Sequence, residues 1–324
     1  MTRCAILDDY QNVALTMADW SQAGVEVTAY NEHFATEDAV RRAIEGFEVV
    51  VAMRERTPFT KAFLATLPRL KLLQTTGPRN PSIDLRGAEE LGITCCGTDA
   101  LPYPTAELTW ALILGLIKHI PHEHANFRTN GHWQTRVGLD LHGRTLGLLG
   151  LGTLGAQVAR VGQALGMKVI AWSNNLKPEH CAALGVEYVS KDRLVAESDI
   201  LSIHTQLSRR TEGLIGRPEF ERMKRSAFLI NTSRGFIVRQ AALVEALQRG
   251  LIAGAGLDTY DIEPLPADHP FRRLPNVLAT PHMGYVSGDN YRLWYSQIVE
   301  NIAAWKQGRV LRRMDPARNV DRSQ

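Results

Sequence analysis

Cysteine is scarce in this chain: Cys4, Cys95, Cys96 and Cys181 are the four among 324 residues. They form no CxxC spacing and have no paired histidines beside them, which excludes the usual zinc sites and a disulfide framework. Adjacent Cys95 and Cys96 fall on a strand-like run and are expected as buried thiols on opposite faces. A surplus of one charge is also missing. Lys and Arg number 37 against 34 Asp and Glu, a formal charge of +3, and no basic stripe points to nucleic acid. Nor is there a long apolar run. The most apolar stretch, Leu108 to Ile120, is too short for a bilayer and carries Lys118, so no membrane partner is expected. The opening Met1–Asp9 turns acidic before an apolar leader develops, which argues against a secretory signal. With reduced thiols, this places the expected compartment in the cytoplasm. Low-complexity segments and short repeats are absent, which excludes a solenoid.

What is present is an ordinary globular composition, 44% hydrophobic and 22% charged, in a chain long enough for two domains with separate cores. Short β-branched runs alternate with helical patterns throughout. The first set is Arg3–Leu7, Val25–Ala29, Val49–Met53, Leu70–Thr76 and Ile93–Cys96, with helical stretches such as Asp38–Glu45 and Thr60–Thr66 between. The second is Thr145–Gly150, Lys168–Ser173, Ile200–Thr205, Phe228–Asn231, Ala253–Asp258 and Val277–Ala279. Alternation of this kind predicts α/β architecture with right-handed crossovers and parallel sheets. Two helices mark where the chain changes domain: one opened by Tyr103–Glu107 and running through Ile120, the other about Asp289 to Gln307. The predicted domains are residues 1–101 with 287–324, and residues 102–286. The polar tail Arg309–Gln324 is expected to be loosely held.

Gly150-Leu151-Gly152-Thr153-Leu154-Gly155 begins where a buried strand ends and leads into a helical pattern, the context a dinucleotide fingerprint requires. Gly150 permits the tight turn, Gly152 lets backbone approach a pyrophosphate, and Gly155 lets the helix pack on the strand. The helix start then offers free N–H groups to phosphate. The following strand should end in an acid that grips the adenine ribose diol, but it ends in Ser173-Asn174-Asn175. A carboxylate there would repel a 2′-phosphate. Its absence, with Lys177 close by, leaves NADP open beside NAD, whose diol Ser173 and Asn174 would hydrogen-bond.

Other strand ends carry the chemistry. Arg234 follows Asn231-Thr232-Ser233, with Thr232 and Ser233 placed beside the cofactor. Its planar fork suits a carboxylate and can polarise a neighbouring carbonyl. His282 closes Thr280-Pro281-His282 and can exchange a proton near neutrality, as ketone reduction needs. A carboxylate would hold its ring and favour the charged form; by spacing, Glu263 and Asp261 both qualify. Asp258 ends a strand as an acceptor for the nicotinamide carboxamide or as a turn cap. His204, at another strand end, borders the cofactor without a chemical role. The remaining histidines lack this context. No metal site is expected.

These segments together resemble the D-isomer-specific 2-hydroxyacid dehydrogenases over nearly the whole chain. The resemblance is carried by the glycine loop, Asn-Thr-Ser-Arg-Gly, Leu-Asp…Glu-Pro and Thr-Pro-His. It implies a Rossmann nicotinamide-binding domain inserted in a flavodoxin-like split substrate domain, two doubly wound units with a catalytic cleft between them, assembled as a homodimer. It implies that Arg234 binds substrate and that Glu263, immediately before proline, pairs with catalytic His282. Thr76 and Gly77 match a loop whose backbone amides hold the substrate carboxylate, Thr105 lies beside the nicotinamide, and the amides at Leu151, Thr153 and Leu154 meet the pyrophosphate.

The chain departs from the family pattern at Ser173, at Gln206 where a proline is usual, and in the charged loop Met53-Arg54-Glu55-Arg56-Thr57, with Arg79 just past Gly77. These are either solvated loop charges, or Arg54 reaches a second polar or anionic group on the substrate. Trp294 and Tyr295 either wall the pocket or pack in the core. The resemblance implies hydride transfer between NAD or NADP and a small 2-oxo or 2-hydroxy acid, with the enzyme expected to work as a 2-oxo acid reductase. Two alternatives share the scaffold. One is a cofactor-sensing, corepressor-like binding protein, for which no partner-docking extension is seen. The other is a formate- or phosphite-type dehydrogenase; the Glu263–His282 pair argues against the formate type, and phosphite oxidation fits the same residues.

Overall fold

A computed structural model describes residues 1–319. The chain divides into two compact units, Met1–Leu101 with the described residues from Val286 on, and Pro102–Tyr285. Each has its own sheet, and every strand pairing in both is parallel. Among the described residues no helix is long and apolar enough to cross a membrane.

In the first unit β1 (Arg3–Ile6), β2 (Glu26–Ala29), β3 (Val49–Ala52), β4 (Leu72–Thr75) and β5 (Thr94–Cys96) lie in the order β2-β1-β3-β4-β5. This is the flavodoxin-like winding. Every residue of Val49-Val50-Val51-Ala52 and of β4 is buried, as strands covered on both faces must be. Thr36 and Thr60 start the helices Glu37–Ile44 and Lys61–Leu64 by accepting the amides of Ala39 and Phe63. Val40, Ile44, Phe63 and Leu64 then pack on the sheet. The helix Gly288–Lys306, capped by Ser287, belongs to this unit. Trp294 and Tyr295 on it are core residues, 1% and 0% exposed, with the Trp294 indole donating to Asp99 O at 2.9 Å.

The tail corrects an expectation. As far as it is described, it is firmly held: Met314 is buried and its N–H donates to Cys95 O at 3.0 Å, while Gly97 N–H donates to Arg312 O at 3.0 Å. Cys96 and Arg313 form an antiparallel bridge. The free edge of β5 recruits the chain, and a methionine fixes it in the core. Residues 320–324 of the expected tail lie outside the described residues. All four cysteines are buried and unbridged, and burial pushes the Cys95 and Cys96 thiols up to about 12 and 11.

In the second unit β6 (Thr145–Leu149), β7 (Lys168–Trp172), β8 (Glu187–Tyr188), β9 (Ile200–Ile203), β10 (Phe228–Asn231), β11 (Gly254–Leu257) and β12 (Val277–Ala279) lie in the order β12-β11-β10-β9-β6-β7-β8. Counted from β6 this is the doubly wound Rossmann order, with its switch point between β6 and β9. Successive residues serve opposite layers. Leu148 and Ile230 join Trp110, Ile113 and Ile117 on one face, and Leu149 and Leu229 join Phe220, Leu243 and Leu247 on the other. β8 escaped the sequence analysis because it has two exposed residues and no apolar pattern. The apolar helix spans Pro104–Ile117 and stops short of Ile120. His119 takes a left-handed φ of 54°, and a second helix, Ile120–Arg128, begins after it.

Register lines up the carboxyl ends. Leu149 pairs with Trp172 and Ile203, Asn231 with Ile203 and Leu257, and Leu257 with Ala279. Gly150, Ser173, His204, Thr232, Asp258 and Thr280 therefore leave the sheet along one edge.

Candidate active site

The glycine loop divides its labour sterically. Gly150 has φ +104°, and a Cβ there would come within 2.8 Å of the His204–Thr205 peptide. A Cβ on Gly155 would meet Gly150 O at 2.4 Å. Gly152 differs: a Cβ would find nothing within 4 Å, so packing within the protein does not require glycine there. Gly152 starts the helix Thr153–Ala164 with no side-chain cap and no acidic residue in the first turn. The first amide bonded back along this helix is that of Ala156, to Gly152 O. The N–H groups of Thr153, Leu154 and Gly155 thus form an open helix start, suited to a phosphate. Leu151 O is bonded by His180 Nε2 at 2.9 Å.

Beyond β9, His204 bonds Ser202 Oγ through Nε2 at 2.8 Å. Desolvation lowers its pKa to about 4, so the ring is neutral and fits a wall beside a cofactor better than a proton donor. Past β7, Ser173 is half-buried and Asn174 exposed. Leu176 N–H closes on Ser173 O at 3.1 Å, forming a turn that presents both side chains.

At the end of β10 the buried Asn231 shapes the Arg234 loop, accepting Ser233 N–H at 3.0 Å and donating to Arg234 O at 2.9 Å. Arg234 Nη1 donates to Ser233 O at 2.8 Å, and a Cβ on Gly235 would strike Tyr260 backbone at 2.2 Å. Glycine thus lets the arginine loop press onto the segment that leads to Glu263. Thr232 and Thr109 share a bond of 2.8 Å, Thr109 Oγ1 donates to Thr105 O at 2.8 Å, and Thr105 Oγ1 donates to Gly284 O at 3.1 Å. This chain of hydroxyls ties the arginine loop to the histidine loop through the helix that starts at Pro104.

His282 Nδ1 lies 2.5 Å from Glu263 Oε2. Spacing left Asp261 as a rival; the structure brings Glu263 to the ring. Buried Asp261 Oδ1 has no hydrogen-bond partner among the described residues, and burial raises its pKa. Glu263 is held in turn by Tyr260 N–H on Oε1 at 2.9 Å. His282 has φ +50°, an uncommon conformation for a residue with a Cβ. Asp258 holds the turn that imposes it. Its Oδ1 accepts Thr280 Oγ1 at 2.6 Å and Met283 N–H at 2.8 Å, and its Oδ2 accepts Gly284 N–H at 2.9 Å. Burial raises the Asp258 pKa against these hydrogen bonds.

Sequence reasoning missed three contributors. Tyr260 bonds Thr280 O at 2.8 Å besides holding Glu263, Tyr285 packs edge-on to the His282 ring at 5.6 Å, and Thr109 links the threonine chain. Of these, only Tyr260 sits inside a segment the motifs flagged.

The first unit offers a second group of residues. Arg54 has φ +51°; its N–H donates to Thr76 Oγ1 at 3.0 Å and its Nη1 to Thr76 O at 3.2 Å. A Cβ on Gly77 would overlap Arg54 Nη1 at 1.9 Å, so the guanidinium lies against the glycine. The two amides expected to hold a carboxylate are engaged within the unit, Thr76 N–H with Ala52 O at 3.2 Å and Gly77 N–H with Thr98 Oγ1 at 2.7 Å.

Comparison with known proteins identifies the relatives of this chain. Residues 110–284 match the family described as D-isomer specific 2-hydroxyacid dehydrogenase, NAD binding domain. A glyoxylate reductase of Aeropyrum pernix is 40% identical over 256 residues, 76% of each chain. A hydroxypyruvate reductase of Thermotoga maritima is 35% identical over 283 residues, 86% of this chain and 90% of that one. The crystal structure of a phosphoglycerate oxidoreductase from Vibrio cholerae superposes with a TM-score of 0.89 at 35% identity, covering 95% of this chain and all of that one (100%).

Proposed function

The chain belongs to the D-isomer-specific 2-hydroxyacid dehydrogenase family, and on that footing we propose that it reduces a small 2-oxo acid to the D-2-hydroxy acid with NADH or NADPH. The observation that carries this reading is the 2.5 Å contact of His282 Nδ1 with Glu263 Oε2, on the same sheet edge as the glycine loop. With Nδ1 committed to the carboxylate, Nε2 is the nitrogen that delivers a proton to the carbonyl oxygen. Arg234 binds the substrate carboxylate and polarises its carbonyl. Glu263 and Asp258 act through His282 as positioning residues, one on the ring and one on the turn beneath it.

The glycine loop fits a dinucleotide: it has open space over Gly152 and a helix start free of acid. Thr153, Leu154 and Gly155 would hold the pyrophosphate, Ser173 and Asn174 the adenine ribose, and Thr105, His204, Thr232, Ser233 and Asp258 the nicotinamide half. A bound nicotinamide would supply the hydride. In the first unit Arg54, beside Thr76 and Gly77, would bind a polar or anionic group of the substrate.

A homodimer is part of the proposal. The helix Ile120–Arg128 buries none of its residues, and Phe127, Trp133 and Val137 are 69%, 77% and 95% exposed. Such a run of uncovered apolar groups suits a second copy of the chain. Sedimentation should give a dimer, and Trp133→Glu with Val137→Asp should give a folded monomer.

The decisive assay follows oxidation of each cofactor across a panel of 2-oxo acids, with the product's chirality determined. Turnover to D-products is expected. Intact cofactor binding without turnover of any acid would overturn the reductase reading in favour of a cofactor-sensing protein.

A further inference from the structure

The loops that leave β7 and β9 flank the glycine loop, because β6 lies between those two strands in the sheet. They are joined by one polar contact: Arg210 Nη1 donates to Asn175 Oδ1 at 3.3 Å. With the Asn175 amide turned over, its oxygen still faces the guanidinium, from Nη2 at 3.1 Å. The Arg210 loop is closed by hydrogen bonds of Thr211. Buried Thr211 donates through Oγ1 to Gln206 O at 2.7 Å, shares a bond with Ser208 Oγ at 3.0 Å, and closes the turn through its N–H to Ser208 O at 2.9 Å. This turn holds Arg209 and Arg210 outward at its tip, both exposed.

The charge at this edge is unusual for a diol site. The strand end that should carry a ribose-binding acid carries Ser173, Asn174 and Asn175. Arg193, Arg217 and Arg222 in the neighbouring helices are each paired with a carboxylate, whereas Arg210 meets the neutral amide of Asn175. Lys177 and Arg209 add positive charge; the acids nearby in sequence are Glu179, in the first turn of the helix Pro178–Ala183, and Glu212 in the Arg210 loop. A ribose diol would find only neutral hydrogen bonds to Ser173 and Asn174. A 2′-phosphate would find a guanidinium as well, and charge-assisted hydrogen bonds are about twice as strong as neutral ones.

We propose that Arg210 binds the 2′-phosphate of NADP(H) and makes it the preferred cofactor, an inference that rests on the reductase reading above. The signal lies in a tertiary contact between two loops, not in the residues that follow β7 alone. An exposed cation acts partly through screened electrostatics, so the preference for NADPH should shrink as salt rises.

The test is a titration of the full-length protein, without substrate, with NADPH, NADH, 2′,5′-ADP and 5′-AMP. It follows cofactor fluorescence and heat of binding in the wild type, Arg210→Gln, Arg210→Lys and Asn175→Ala. The wild type should bind NADPH and 2′,5′-ADP at least tenfold more tightly than NADH and 5′-AMP. Arg210→Gln should raise Kd for the two phosphorylated ligands by about 10- to 100-fold and leave the other two within twofold. Arg210→Lys should recover part of the loss. Asn175→Ala, which removes the contact and keeps the charge, should preserve the preference. A wild type that favours NADH overturns the proposal, as does an Arg210→Gln variant that weakens all four ligands equally, which would make the contact a loop staple. Failure of every ligand to bind the wild type would strike the nicotinamide reading itself.

Discussion

Glu263 and His282 meet at 2.5 Å across a sequence separation of 19 residues, and each is fixed from behind by a group with no part in that contact. Tyr260 N–H holds the other carboxylate oxygen of Glu263, Oε1, and Asp258 clamps the amides of Met283 and Gly284 just past His282. The pair is therefore preorganised, and the His282 ring has little freedom to lose when a ligand binds.

The first prediction follows from that arrangement. His282→Asn should lower kcat by about 10²- to 10⁴-fold, the usual contribution of a positioned acid, while Kd for the cofactor stays unchanged. Glu263→Gln should cost less, on the order of tenfold or more, because the ring survives but loses its orientation. Steady-state kinetics and cofactor titration on the same preparations separate these effects. Equal loss of cofactor binding would contradict the division of labour.

The glycine loop makes a second prediction because its members are glycine for different reasons. Gly155→Ala forces a Cβ against Gly150 O at 2.4 Å. It should cost about 1–3 kcal/mol of stability as overpacking does, visible as a lowered Tm. Gly152→Ala meets nothing within 4 Å, so its Tm without cofactor should match the wild type. If that space belongs to a pyrophosphate, Gly152→Ala should nonetheless weaken NADH and NADPH alike. Wild-type affinity in a folded Gly152→Ala protein would remove the cofactor from this loop.

Much of this was legible in the sequence, and what was not has physical causes. The strand ends announced themselves because buried parallel strands are continuous apolar runs, and the residue where each run stops is by topology a residue at the ligand edge. That logic reached Gly150, Asp258 and His282. It could not choose between Asp261 and Glu263, since two residues of spacing say nothing about which carboxylate a turn will aim. It missed Tyr260 and Thr109, whose contributions are a backbone N–H and a hydroxyl relay that ordinary core residues also provide. It misjudged the tail, where polar composition concealed a backbone that pairs with β5 and one methionine, Met314, that enters the core.

Arg54 supplies a third prediction. Its left-handed backbone and the contact of its guanidinium with Gly77 hold it in a strained, fixed pose, and such strain tends to collect where function requires it. Arg54→Ala should raise KM for the 2-oxo acid by about tenfold or more, as loss of a charged hydrogen bond does, with cofactor Kd unaffected. Arg54→Lys should restore little, because a point charge does not reproduce the planar fork. Gly77→Ala should reproduce the KM defect by pushing the guanidinium away. Unchanged KM in Arg54→Ala across the whole acid panel would leave the residue a purely structural role.

The fourth prediction concerns pH and separates His204 from His282. Burial depresses the His204 pKa to about 4, against about 6.5 for an unfolded histidine. In the window between those values the unfolded chain binds a proton that the folded protein refuses. Stability contributed by the neutral ring is therefore present above about pH 6.5 and lost as pH falls toward 4, by up to about 1.4 kcal/mol per pH unit. His204→Gln, which cannot take up that proton in either state, should flatten the stability profile between pH 6.5 and 4.5. The measurement is urea denaturation at several pH values for both proteins. An identical acid slope in the variant would show that His204 is protonated in the folded protein and would end its assignment as a neutral wall beside the cofactor.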